Sequence, residues 1–146
     1  MKIISPIVLC LFLTITPKLW AHCEVPCGIY DDELRFQLIL EHITTMEKAM
    51  KQIQELSKDP SKNANQIARW VFNKETHATE LQHIVTQYFM TQRIKLDAEK
   101  YDQKIGALHQ LLIYSMKCKQ TTDAQFIAKC RESAKAFKAL YFTHTH

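Results

Sequence analysis

The chain of 146 residues is long enough for one domain with a single sizeable core. Only two glycines and four prolines accompany many Leu, Ile, Met, Lys, Glu and Gln residues, which argues against a sheet with many hairpins and predicts an all-α fold. The 19 Lys and Arg against 15 Asp and Glu give a net charge of only +4, without a basic stripe carrying aromatic residues, which argues against a nucleic-acid-binding protein.

The first 21 residues have the pattern of a secretory signal peptide. Met1 and Lys2 give a short basic start, residues 3–13 are almost wholly apolar, and Ala21 supplies a small residue at the end. The apolar run is too short to span a bilayer, although an uncleaved membrane anchor is the alternative. Cleavage after Ala21 would remove Lys2 and Lys18 and lower the net charge from +4 to +2. We expect an exported protein, periplasmic or extracellular, with no membrane attachment after processing.

Four amphipathic helices are predicted after residue 30. Apolar residues recur in them at spacings of three and four, which places these residues on one face of a helix. Four such helices with short connections can bury their apolar faces together only as a bundle. The sequence therefore predicts an antiparallel four-helix bundle over residues 31–146. Its helices are expected at Asp31–Ser57, at about Asn63–Arg93, at about Asp97–Lys117, and beyond a turn at residues 119–123.

The helix ends carry capping signals. Asp31, Asp32 and Glu33 open the first helix, where carboxylates accept hydrogen bonds from free N–H groups and oppose the helix dipole. Thr122 and Gln125 have the spacing of a capping box for the fourth helix. The positions of the second helix expected to face the core are Ile67, Trp70, Val71, Ala78, Leu81, Ile84, Val85 and Tyr88.

Cysteine usage fits an oxidising compartment. Cys10 lies in the signal peptide, and four cysteines remain after its removal, an even number that normally indicates disulfides in an exported protein. Cys118 and Cys130 flank the turn between the third and fourth helices. A disulfide across that hairpin and a pair of buried free thiols both remain open.

The string HCEVPCGIYD, residues 22–31, starts directly at the predicted cut, so His22 would carry a free α-amino group. An α-amine has a pKa of about 7.7–8, low enough to lose its proton to a metal near neutral pH. The His22 imidazole and the thiolates of Cys23 and Cys27 add three donors, a nitrogen and sulfur set that suits a tetragonal metal site. Pro26 and Gly28 favour a tight turn. From spacing alone, a Cys23–Cys27 disulfide loop or a zinc site is equally consistent.

The same string resembles the HCxxPCGxYD hook with which mature nickel superoxide dismutases begin. Residues 65–95, NQIARWVFNKETHATELQHIVTQYFMTQRIK, and the later run MKCKQTTD also look like members of that family. The resemblance implies an enzyme that disproportionates superoxide to O₂ and H₂O₂ with one nickel ion per subunit. It also implies a homo-oligomer, a hexamer in that family, built from a bundle with an N-terminal metal-binding hook at residues 22–30.

The resemblance assigns roles to individual residues. The amine and imidazole of His22, the amide nitrogen of Cys23 and the thiolates of Cys23 and Cys27 would bind nickel. Tyr30 matches a tyrosine that closes over the open face of the metal, and Tyr88 matches a second tyrosine near the site. We therefore expect Tyr30 and Tyr88 to be the catalytic residues beside the metal.

The sequence departs from the family pattern beside the hook. An acid on the first helix of the family and its arginine partner fall at about Gln37 and His77, so that ion pair is expected to be absent or replaced by a neutral hydrogen bond. Two other functions remain open at this point. One is an exported, disulfide-stapled helical bundle that binds a partner without catalysis, and the other is a nickel or copper chaperone, which has no need for Tyr30.

Overall fold

The structure, a computed structural model, describes residues 31–142. Within this range the chain forms four α-helices and no strand: α1 Asp32–Leu56, α2 Pro60–His83, α3 Tyr101–Gln120 and α4 Ala124–Tyr141. Ile84–Arg93 continues α2 as a π-helical segment. Helix α1 packs on α2 and α3 on α4, while contacts of α1 with α4 and of α2 with α3 close the ring. The predicted all-α, antiparallel four-helix bundle is confirmed.

The core of the bundle comes from apolar residues at helical spacing. All six predicted positions of α1 are buried. In the second helical stretch, Ala78, Leu81, Ile84, Val85 and Tyr88 are buried as predicted. No helix of the described range is long and apolar enough to cross a membrane. The six positions of α1 are Phe36, Ile39, Ile43, Met46, Met50 and Ile53.

The first half of α2 departs from the prediction. Val71 is 38% exposed and the next residue, Phe72, is 74% exposed, although Val71 continues the buried stripe of the helix. The cause is the length of α3. The buried Lys74 Nζ donates to the carbonyl oxygen of Cys118 at 2.6 Å and to that of Lys119, so the last turn of α3 lies beside Lys74. Residues of α2 before Lys74 therefore extend past the end of α3, and the prediction that Val71 faces the core is wrong.

The start of α2 lies three residues earlier than predicted. Asp59 caps it by accepting a hydrogen bond from Lys62 N at 3.3 Å, and Pro60 occupies the first helical turn. Proline is well accommodated there because an N–H in the first turn has no partner within the helix. Pro60 therefore begins α2, whereas the sequence predicted only that the preceding helix ends before this proline.

The other helix starts also differ in detail. Helix α3 begins at Tyr101 and not at Asp97, after Lys100 in the left-handed region with φ of 55°. Helix α4 is capped by Asp123, whose carboxylate accepts from Gln125 N at 2.9 Å. The predicted capping box at Thr122 is therefore wrong by one residue.

Two histidines join α1 to α2. The Nδ1 atoms of His42 and His77 lie 2.8 Å apart and the ring centroids 5.1 Å apart, so the nitrogens point at each other in a hydrogen bond. One imidazole must donate and the other accept, which requires at least one neutral ring. Burial and then the nearby His77 lower the pKa of His42 below its ordinary value, against the opposing effect of Glu80 and Glu41.

We predict that stability falls as the pH is lowered from 7.5 to 5.5. Because the pKa of His42 is lower in the folded state, the unfolded chain binds more protons as pH falls through its ordinary pKa, and unfolding is favoured. The loss should be on the order of 1 kcal/mol, the typical value of one hydrogen bond. Urea unfolding at both pH values measures it. H42F should remove most of this acid sensitivity, and H109Q, at an exposed histidine, should retain it; equal sensitivity in all three proteins would contradict the assignment.

Cys118 and Cys130 meet inside the α3–α4 hairpin. Both side chains are fully buried, and their Sγ atoms are 4.0 Å apart, a contact between two thiols rather than a disulfide. Contact with Cys118 and burial raise the pKa of the Cys130 thiol. Of the two possibilities that the sequence leaves open, the structure has the buried free thiols.

We predict that a thiol reagent such as DTNB reacts with neither cysteine of the folded hairpin and with both after unfolding. Burial of both side chains excludes the reagent from their sulfur atoms. Peptide mapping separates these thiols from those at Cys23 and Cys27. A native protein in which Cys118 and Cys130 are already bonded, and release two thiols only after reduction, would contradict the prediction.

Candidate functional site

Most of the predicted site precedes the described residues. The metal ligands His22, Cys23 and Cys27, the catalytic Tyr30 and the signal peptide at 1–21 all lie outside the described range. From residue 31 to residue 142, no group of three or more His, Cys, Asp or Glu side chains is arranged to hold a metal ion. The described residues nearest in sequence to the predicted ligands are therefore those at the start of α1.

The first turn of α1 carries three consecutive carboxylates with three different partners. Asp31 caps the helix by accepting a hydrogen bond from Glu33 N at 2.9 Å. Glu33 forms a half-exposed ion pair with Lys138 of α4 at 2.7 Å. Asp32, whose side chain is only 18% exposed, points into the bundle. It accepts hydrogen bonds from Tyr88, Arg93 and Tyr141.

Tyr88 is the one predicted catalytic residue that the structure describes. Its ring is buried, and its hydroxyl donates to Asp32 Oδ1 at 2.5 Å. The guanidinium groups of Arg35 and Arg93 lie 5.3 and 5.6 Å from the ring centroid, within the range of a cation–π contact. Tyr88 therefore contacts Asp32, which is only two positions after the other predicted catalytic tyrosine, Tyr30, in the chain.

The π-helical segment explains why Arg93 reaches the same carboxylate as Tyr88. Residues five apart in an α-helix point about 140° away from each other, since each residue turns by about 100°. In a π-helix the hydrogen bonds join residues five apart, and those residues share a face. Arg93 NH2 lies 2.8 Å from Asp32 Oδ2, and Thr91 Oγ1 donates to the carbonyl oxygen of Thr86, also five residues away.

Helix α4 supplies the third donor. The Tyr141 hydroxyl donates to Asp32 Oδ2 at 2.8 Å, and its ring packs edge-on against Phe89 at 5.5 Å between centroids. Phe142 meets Phe36 of α1 in a second edge-on contact at 5.9 Å. The last turn of α4 and the end of the π-helical segment therefore both hold the first turn of α1.

The electrostatics of the cluster keep Asp32 ionised and the tyrosines protonated. Burial raises the pKa of Asp32, but hydrogen bonds from Arg93, Tyr88 and Tyr141 together outweigh it and leave that pKa below its ordinary value. Burial and the hydrogen bond to Asp32 raise the pKa of Tyr88 to about 12. The same two causes raise the pKa of Tyr141 to about 12. Near neutral pH, the cluster therefore contains one carboxylate, one guanidinium and two neutral phenols.

Sequence reasoning missed most of this cluster. It assigned Asp32 to helix capping and named neither Arg93 nor Tyr141 as part of a site. An α-helical pattern puts Arg93 on a different face from Tyr88, so the periodicity pointed away from the contact. One feature of the sequence could have indicated the cluster. Asp32 directly follows Asp31, and a helix that Asp31 already caps does not need a second aspartate for capping.

The residues at the family's ion-pair positions have other partners. Gln37 Nε2 donates to Glu33 Oε1 at 2.8 Å, one turn earlier on α1. His77 pairs with His42. Near the start of α1, the structure describes ion pairs of Asp32 with Arg93 and of Glu33 with Lys138.

Comparison with known proteins gives the family. The family model described as nickel-containing superoxide dismutase matches residues 17–145, nearly the whole chain. No curated protein and no solved structure matches the chain. The matched range includes the His-Cys-x-x-Pro-Cys string and the cluster around Asp32. The chain belongs to the nickel-containing superoxide dismutase family, and its activity is the nickel-dependent disproportionation of superoxide to O₂ and H₂O₂.

Proposed function

We propose that the nickel ion of this dismutase is held by His22, Cys23 and Cys27 at an amino terminus created by cleavage after Ala21. The chemistry of the donor set supports the assignment. Thiolates are soft ligands, and an α-amine, an amide nitrogen and an imidazole beside them make a tetragonal nitrogen and sulfur set. No equivalent set exists among residues 31–142. The non-catalytic binding bundle finds no support in the family match.

Chain connectivity limits where such a centre can lie. Cys27 is five residues before Asp32, and five extended residues span at most about 17 Å. Tyr30 is two residues before Asp32, within about 7 Å of it by the same measure. The end of the bundle formed by Asp32, Tyr88 and Arg93 is therefore within reach of the proposed ligands. This proximity is the observation that carries the assignment of Tyr88 to the site.

Bound nickel supplies the one-electron redox couple that superoxide disproportionation needs. The chain's own residues bind the substrate and manage its protons. Tyr30 and Tyr88 would line the approach to the metal, and Tyr88 stays neutral there because its pKa is raised to about 12. A neutral phenol does not repel an anion, whereas a phenolate would.

Processing, location and assembly belong to the same proposal. Residues 1–21 would direct export of the protein, and their removal would expose the His22 amine. The chain divides accordingly into a signal peptide at 1–21, a hook at 22–30 and a helical bundle at 31–146. We propose that the exported enzyme is a homo-oligomer, since the exposed apolar side chains of α2, Val71 and Phe72, remain uncovered in the single chain.

The ligand assignment predicts that C27S loses most of its nickel and at least about 100-fold in kcat/KM. A serine hydroxyl is a poor ligand for a metal that prefers thiolates. C118A is the matched control, because it also removes one sulfur but from the buried hairpin, and it should retain both nickel and activity. Metal analysis and superoxide assays measure the two effects. A C27S enzyme with full nickel content and full activity would refute the assignment.

The role of the α-amine is tested by one additional alanine before His22 in the mature chain. The extension moves the free amine away from the imidazole while keeping every side chain, so activity should fall to background and nickel should be lost or rearranged. An added alanine after His146 serves as the control and should leave both unchanged. An N-terminally extended enzyme with unchanged nickel spectra and turnover would exclude the amine as a ligand.

A further inference from the structure

Two buried thiols in the α3–α4 hairpin lie outside the proposed nickel ligands. Cys118 and Cys130 are 12 positions apart in the chain, and their Sγ atoms are 4.0 Å apart. Helix α3 ends at Gln120 and α4 begins at Ala124, so a short turn holds the two sulfurs opposite each other. Because a disulfide joins sulfurs about 2 Å apart, bonding requires an approach of only about 2 Å. The two thiols are therefore placed to react with each other.

The two thiols differ in their surroundings. The Nζ atom of the buried Lys74, which also pairs with Glu75 at 3.2 Å, donates to the carbonyl oxygen of Cys118 at 2.6 Å. The hydrogen bond with Cys130 and the positive charge of Lys74 lower the pKa of the Cys118 thiol, although burial opposes them. The contact with Cys118 and burial raise the pKa of the Cys130 thiol, against a lowering by Arg131. Since the thiolate is the nucleophilic form, Cys118 is the more nucleophilic partner.

We propose that Cys118 and Cys130 are a peroxide-reactive site, at which the H₂O₂ made by the dismutase oxidises the two thiols to a disulfide. The Cys118 thiolate attacks one oxygen of H₂O₂, so that an S–O bond forms, the O–O bond breaks and hydroxide leaves and takes up the proton that Cys118 has lost. The Cys130 sulfur then attacks the resulting sulfenic acid, which forms the S–S bond and releases water with the Cys130 proton. Two thiols and one H₂O₂ thus give one disulfide and two water molecules.

The free thiols of the structure are the starting state of this reaction, before the protein meets peroxide. Burial that excludes DTNB is a smaller barrier to H₂O₂, which is little larger than water and enters through brief local openings of the bundle. The oxidation requires the dismutase activity as its source of peroxide but no particular set of nickel ligands. Its product is a covalent link between α3 and α4.

The first test follows the pair during turnover of the nickel-loaded enzyme. The enzyme is purified with catalase, supplied with superoxide with or without catalase, unfolded in N-ethylmaleimide and cleaved after glutamate. Residues 100–132 contain both cysteines and end at their first glutamate, so they form one fragment, separate from Cys23 and Cys27. Without catalase this fragment should lose two hydrogens and take up no reagent, and with catalase it should carry two labels. Added H₂O₂ should form the same disulfide in nickel-free protein.

The order of the two steps is tested with C130S and C118S, each of which keeps one thiol beside a hydroxyl that can hydrogen-bond to it. Dimedone, which reacts with sulfenic acids, is added with urea after a pulse of H₂O₂. It should label C130S at Cys118 at least about 10-fold more than C118S at Cys130, since one unit of pKa changes the thiolate fraction about tenfold. Equal labelling, or more labelling at Cys130, would contradict the assignment of Cys118 as the attacking sulfur.

The disulfide should also change the stability of the wild type. A bond that closes a loop of this length restricts the unfolded chain, so peroxide should raise the Tm on the order of 5–10 °C. C118A lacks one of the two sulfurs and should show no rise after the same treatment. Calorimetry before and after peroxide measures both proteins.

The proposal is overturned if the wild-type fragment keeps two labels after a dose of H₂O₂ that fully oxidises glutathione in a parallel sample. A fragment that gains two oxygens on one sulfur, instead of losing two hydrogens, would equally overturn it, because the second thiol would then have failed to close the bond. Both outcomes are read from the wild-type chain and are independent of how the variants fold. Failure of the hook assignment is recognised separately, by full nickel content and activity in C27S.

Discussion

The Asp32 carboxylate is the contact on which the end of the bundle at the start of α1 depends. It accepts hydrogen bonds from two other elements, the π-helical segment and α4, and has little exposure to solvent. Exposed ion pairs contribute little to stability, but a largely shielded carboxylate with three donors is costly to disturb.

The π-helical segment makes this contact possible. The helix that begins as α2 becomes wider over Ile84–Arg93, so that Tyr88 and Arg93 approach the Asp32 carboxylate from the same face. At the other end, the buried Lys74 holds the final turn of α3 and fixes how far α2 extends beyond it. Local backbone geometry and single polar contacts, more than the apolar core, determine which side chains meet.

The sequence predicted the architecture well because hydrophobic periodicity reports which face of a helix is buried. The six core positions of α1 and the place of Tyr88 follow from it. Periodicity does not report how many residues complete a turn, so the π-helical segment and the role of Arg93 were missed. It also does not report where a neighbouring helix ends, which is why Val71 was misplaced. The predicted metal ligands His22, Cys23 and Cys27 rest instead on a sequence motif. Such a motif is recognised by the chemistry and spacing of its residues and not by how they pack.

The central claim, a nickel centre built on the new amino terminus, is tested most directly by native mass spectrometry. The protein would be purified from a nickel-supplied, export-competent host without chelators. The account predicts a chain that starts at His22 and carries one nickel ion per subunit in a defined oligomer. A metal-free chain with Cys23 and Cys27 joined, two hydrogens lighter for that pair, would contradict it.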